Sequence, residues 1–185
     1  MQYVEFNPYW TVSISNGEIL TKLKSDPAYL SRNNMDLLSM SGNAVPVSSV
    51  DFKKYTSKMP YMLRQGHGAG NALGRVKFFF PNRFSVYLHD TPSRNLFSKE
   101  ERAFSHGCIR IKAPLKFASY VLLEQGYTSA RIDSIVKTGR NLRVNLKKVL
   151  PVIITYSTAF ADQDLVYFYK DVYKRDEALM MALGI

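Results

Sequence analysis

The sequence predicts a mainly β domain with peripheral helices. Strand-like runs recur at 61–65, 74–80, 84–89, 142–146, 151–156 and 165–169. Helical spacing is confined to short stretches at about 18–24, 114–124, 130–138 and 174–183. The two kinds of element do not alternate regularly, which argues against a parallel α/β sheet.

Taken in order, residues 1–13 read as an extended entry with Tyr3, Phe6, Tyr9 and Trp10 as packing side chains, broken at Asn7-Pro8. Ser15-Asn16 can cap a helix over Glu18 to Lys24, with Ile19, Leu20 and Leu23 on one face. Asp26-Pro27 is a second start signal, for a turn through Ala28–Leu30. Residues 31–58 are rich in Ser, Asn, Gly and Lys and predict either a capping insertion over a cleft or a plain surface excursion. The glycines at 66, 68 and 70 match neither nucleotide-loop spacing, so a flexible connection is expected, with His67 exposed and without a chemical role.

The runs 74–80 and 84–89 predict a hairpin joined through Pro81-Asn82-Arg83. Strand alternation puts Tyr87 and His89 on one face and Val86 and Leu88 on the other. The apolar pair should face the core, so Tyr87 and His89 should face a cleft. Ile109–Ile111 can extend as a strand. Pro114 opens a helix that stops at Gly126, and a second helix stops at Gly139. The runs 151–156 and 165–169 predict two further strands around a polar turn at 161–164, before a terminal helix.

The length of 185 residues suits one domain with a small inserted subdomain. A hydrophobic content of 46% against 22% charged residues excludes global disorder. No apolar run approaches the ~20 residues of a membrane span. Met1 is not followed by a signal-peptide pattern, so none is expected within this chain. The net charge of +10 favours polyanionic surroundings, but the basic residues are scattered and no nucleic-acid module is visible, so no nucleic-acid partner is expected. One cysteine excludes a disulfide scaffold.

The chemistry concentrates in His89–Arg110, HDTPSRNLFSKEERAFSHGCIR, which holds two of the three histidines and the only cysteine. A thiol becomes a useful nucleophile when an imidazole takes its proton. Cys108 is the candidate nucleophile and His89 the preferred base. His106, two residues from Cys108, is expected to shape the pocket together with Ser105. Gly107 permits a sharp turn, and the amides of Gly107 and Cys108 are expected to face an oxyanion, with the Tyr87 hydroxyl as a further donor. Asp90 receives no triad role from adjacency alone, because a backbone carbonyl can orient His89 equally well. A buried structural cysteine and a zinc site on His89, His106 and Cys108 are the competing readings.

His89, fifteen residues, then Ser105-His106-Gly107-Cys108 resembles the signature of the L,D-transpeptidase (YkuD) family. FNPYW, LRQ at 63–65, GNALG at 70–74 and HDTPSRNLFSKEERAFSHGCIRI are similar to the larger periplasmic, YcbB-type branch. The resemblance implies a YkuD-type β-sandwich or barrel-like catalytic domain, with 31–58 as the cap. It implies a thioester between Cys108 and the third residue of a peptidoglycan tetrapeptide stem, with release of D-Ala. An amine of a second stem then resolves it to a 3→3 cross-link. It also implies no metal or organic cofactor, reaction with carbapenems, an envelope location and a peptidoglycan-binding region N-terminal to the domain. Arg64 and Asn71, within the similar runs, become expected substrate contacts. Arg110 stands where the family often has asparagine, and its guanidinium can bind a substrate carboxylate or pair with a structural acid. Water as acceptor would make the same residues an L,D-carboxypeptidase or endopeptidase, and a dead site would leave an envelope-binding module.

Overall fold

The computed structural model describes residues 1–14, 17–26, 28–105 and 107–184. The expected cap at Ser15-Asn16, Pro27 and His106 lie outside the described residues.

The main sheet has five strands. β1 (Tyr3–Phe6) is central, flanked by β5 (Val76–Phe79) and β8 (Leu142–Asn145), both antiparallel to it. β6 (Leu88–His89) lies beyond β5, and β7 (Ile109–Arg110) pairs in parallel with β6 at the sheet edge. Alternation sorts the two faces. Val4, Phe6, Val76, Phe78 and Val144 are buried on one face, against Ala118 and Leu122 of α3 (Pro114–Val121) and its continuation and Ile132 of α4 (Ser129–Lys137). Burying each such large apolar side chain contributes about 1.5–3 kcal/mol. The register runs Arg110–His89–Lys77–Glu5–Arg143 across the opposite face. His89 therefore stands on the side of the sheet away from the helices.

Helix ends follow the local signals. Thr128 caps α4 by accepting from the Arg131 amide, and Gly139 ends it at φ +65°. Gly126, at φ +76°, stops the turn that continues α3. Asn7, at φ +47°, is buried and donates to the Ile135 and Arg140 carbonyls, pinning the end of α4 to the end of β1. The chain then leaves the first sheet at Pro8.

A second sheet follows, ordered β2 (Trp10–Ser13), β4 (Tyr61–Gln65), β3 (Met35–Ser39), all antiparallel. With α1 (Gly17–Ser25) and α2 (Tyr29–Arg32) it encloses a second core of Ile14, Leu20, Leu23, Leu30, Leu37, Met59 and Leu63. The polar stretch 31–58 supplies β3 and Leu37 to this core, and Val45, Val50, Phe52 and Tyr55 pack on it. It shares a sheet and a core with its flanking segments rather than standing apart from them.

Two strand expectations are corrected. The 84–89 run is a strand only at Leu88–His89, because Asn82 takes over the connection. Its amide donates to the Phe80 and Val86 carbonyls and its carbonyl accepts from the Phe84 and Val86 amides, so a side chain satisfies what a ladder would. Residues 151–156 form no strand. The terminal hairpin instead pairs β9 (Ala159–Asp162) with β10 (Leu165–Phe168) across Gln163-Asp164, where Gln163 takes the φ of +51° that a two-residue turn needs. The terminal helix, α5 (Asp176–Leu183), forms as expected. No described helix is long and apolar enough to cross a membrane.

Phe78→Ala should lower unfolding stability in urea by about 3–5 kcal/mol. Phe168→Ala, at a position 81% exposed, should cost less than about 0.5 kcal/mol. Equal losses would contradict this placement of the core.

Candidate active site

The site is built where β6 and β7 run side by side. The Ile109 amide donates to the Tyr87 carbonyl at 3.0 Å and the Ile111 amide to the His89 carbonyl at 2.9 Å. This register sets Arg110 beside His89. Cys108, two residues before Arg110, falls on the face that carries Tyr87 and His89. Val86 and Leu88 pack on the helix-side core, as alternation required.

Cys108 is half-buried and free of disulfides. The turn that presents it is closed by Ser105, whose hydroxyl donates to the Cys108 carbonyl at 2.6 Å and accepts from the Gly107 amide at 3.1 Å. Gly107 has φ +149°, and a Cβ there would lie 3.0 Å from Cγ1 of Val86. Both facts favour glycine. They also correct one expectation: the Gly107 amide is committed to Ser105 and does not serve as an oxyanion donor in this conformation.

His89 is buried, and its Nδ1–H donates to the Asp90 carbonyl. A carbonyl can only accept, so the proton resides on Nδ1 and Nε2 keeps its lone pair. Burial holds the imidazole below its ordinary pKa, opposed by the Asp90 carbonyl and assisted by the Arg110 charge. Tyr87 meets His89 edge-on with ring centroids 5.8 Å apart, and the Lys77 ammonium lies 4.4 Å from the Tyr87 ring centre. Burial, followed by the neighbouring Cys108, pushes the Tyr87 phenol up, so it stays protonated as a donor. Two cavities meet at Cys108. One, of about 570 Å³, runs past Phe97, Phe104 and Tyr173. The other, of about 280 Å³, is bordered by His89, Tyr87, Leu73 and Trp10. Arg110 borders both, and its Nε is buried without a hydrogen-bond partner among the described residues.

Two expected substrate contacts lie elsewhere. Asn71 is 1% exposed, donates to the Pro8 and Gly66 carbonyls and accepts from the Leu73 amide. With its amide used inside the fold, it is an architectural residue. Arg64 pairs with Asp36 at 2.9 Å and stacks on Tyr9, and it borders neither cavity at Cys108. His67 is exposed, edge-on to Tyr9. Trp10, read from the sequence as packing, borders the smaller cavity beside Tyr87. The Asn7-Pro8 break was the available signal, since it moves Trp10 out of the first sheet and into the junction.

The family model described as the L,D-transpeptidase catalytic domain, YkuD, matches residues 1–154. The chain belongs to the YkuD family. Its fold of β-sheets with a few helices agrees with a YkuD-type β-sandwich. The chain is also 34% identical over 181 residues to a provisionally named L,D-transpeptidase of Haemophilus influenzae. That match takes in 97% of this chain but spans 37% of the relative's length.

A pH titration of the histidine ring signals by NMR tests the electrostatics of this YkuD site. The His89 midpoint should fall below the ordinary value of about 6.5. Arg110→Met removes a charge that opposes imidazolium, so the midpoint should rise. A midpoint unmoved by that change would remove Arg110 from the account of His89.

Proposed function

We propose that this domain is a peptidoglycan L,D-transpeptidase in which Cys108 is the nucleophile and His89 the base. The observation that carries the reading is the shared sheet face. It holds a free thiol, an imidazole with Nε2 unprotonated and a phenol donor around one cavity. His89 Nε2 accepts the Cys108 proton as sulfur attacks the carbonyl of the third stem residue. The C–N bond to D-Ala then breaks, and the leaving amine takes the proton from Nε2. The remaining thioester is attacked by the side-chain amine of a second stem. That amine's proton passes to Nε2, the C–S bond breaks, and the thiolate recovers the proton. The product is a 3→3 cross-link.

In this reading the Tyr87 hydroxyl donates to the tetrahedral oxyanion, a role typically worth about 2.7–4 kcal/mol; its support is a protonated phenol bordering the same cavity as Cys108 and His89. Arg110 holds a substrate carboxylate in this reading, which is supported by a buried Nε that has no hydrogen-bond partner among the described residues. In this reading the second sheet, including 31–58, acts as the cap, and the feature that supports it is Trp10, at the edge of that sheet and bordering the smaller cavity. An envelope location, periplasmic in Gram-negative cells, follows from the substrate. The same thiol is a target for carbapenem acylation. A peptidoglycan-binding region elsewhere in the full protein would hold the glycan strand.

Purified disaccharide-tetrapeptide, with products and intact protein followed by mass spectrometry, tests the assignment. D-Ala release with a cross-linked dimer is expected. Cys108→Ala should abolish the thioester and turnover, and His89→Ala should lower the rate by about 10²–10⁴. Full turnover by Cys108→Ala would sink the nucleophile assignment, and tripeptide without dimer would replace the acceptor amine by water.

A further inference from the structure

The loop between His89 and Cys108 contains a bridge that the mechanism above does not use. Asp90 is 1% exposed, and its carboxylate is surrounded by donors. Oδ1 accepts from the Thr91 amide at 2.7 Å and from Nη2 of Arg94. Oδ2 accepts from the Arg75 amide at 2.9 Å and lies 3.4 Å from Nε of Arg75. Room for this carboxylate exists because residue 74 is glycine: a Cβ there would lie 2.5 Å from Cγ of Asp90. The second nitrogen of Arg94, Nη1, donates to the Lys112 carbonyl at 2.6 Å.

The two arms of this guanidinium reach the two halves of the site. One holds the side chain of Asp90, whose own carbonyl accepts the Nδ1 proton of His89. The other holds the backbone two residues beyond Arg110, just past β7, the strand that Cys108 immediately precedes. A planar fork can serve two acceptors at once, which a single ammonium cannot do with the same geometry. Arg75 reaches the other carboxylate oxygen of Asp90, and among the described residues it has no hydrogen bond or ion pair to the Cys108 segment.

We propose that Arg94 is a positioning residue that locks the Asp90 turn to the Lys112 backbone, and so fixes the orientation of His89 relative to Cys108. The inference rests on the reading that His89 and Cys108 are the reacting pair. Asp90 acts through its backbone carbonyl on His89 and through its carboxylate on Arg94. A misplacement of about 1 Å between reacting groups can cost about 10²-fold in rate, so the bridge bears on turnover more than on binding.

The test compares Arg94→Met, Arg94→Lys and Arg75→Met with the wild type. The readouts are the Cys108 acylation rate with tetrapeptide donor, the split between kcat and KM, and the ¹⁵N signals of the His89 ring. Arg94→Met should lose about 10²-fold in kcat with little change in KM. Its His89 signals should change from one Nδ1–H tautomer to a mixture. Arg94→Lys should recover part of the rate, and Arg75→Met should stay within about twofold of wild type. An unchanged rate in Arg94→Met, or an equal loss in Arg75→Met with His89 still in one tautomer, would overturn the proposal. Should Arg94→Met fail to fold, Arg94→Lys and Asp90→Asn carry the same comparison. A wild type that forms no thioester would defeat the functional reading instead, and the His89 ring signals would still decide the positioning claim.

Discussion

The structure around Cys108 depends on a two-residue parallel pairing, Leu88 with Ile109 and His89 with Arg110. Parallel neighbours cannot be joined by a tight turn and need a dozen or more connecting residues. Here a polar loop makes the crossover, with a single helical turn at Arg94–Ser98. Closing a longer loop costs only slightly more entropy, so the length is tolerable. Register is the demanding part. A slip of one residue would turn Cys108 to the side of Val86 and Leu88, against the hydrophobic core. Two ladder bonds, the Ser105 hydroxyl and the Arg94 fork all act against that slip.

Electrostatics reinforce the geometry. The row on the sheet face away from the helices places Arg110 and Lys77 on either side of His89. Burial and these two cations disfavour imidazolium, while the Asp90 carbonyl fixes which nitrogen carries the proton. The result is a neutral imidazole with a free Nε2, the form a base requires. Tyr87 is kept as a phenol by the same burial. One desolvated face thus supplies an acceptor and a donor from side chains two residues apart, because a strand repeats every second residue.

Periodicity and punctuation were the legible parts of the sequence. The Tyr87/His89 face followed from alternation, and the helices after Pro114 and before Gly139 followed from their terminal residues. What sequence reading missed was set by side chains bonding to distant or neighbouring backbone. Asn82 shortened β6 by replacing ladder bonds. Ser105 claimed the Gly107 amide that had been expected at the oxyanion. The composition of 31–58 hid Leu37 and a set of partly buried valines and aromatics that complete a second core only when strands β2 and β4 are beside them. Resemblance points to Cys108 and His89, the pair proposed above to react, but does not distinguish contacts with substrate from contacts within the frame.

Asn71 illustrates that last difference. It lies far from the thiol in role, yet its consequences reach the imidazole. Its side chain holds the 66–73 turn together through Pro8, Gly66 and Leu73, and its carbonyl accepts from the Gly74 amide at 2.9 Å. That turn delivers Gly74 at φ +62°, a conformation glycine adopts without strain. The missing Cβ admits the Asp90 carboxylate, and Asp90 in turn presents the carbonyl that sets the His89 tautomer. The GNALG run is therefore explained without any substrate contact. It shapes the socket for a carboxylate whose backbone carbonyl orients His89, the proposed base, so this run builds the frame behind the proposed reacting pair rather than touching substrate.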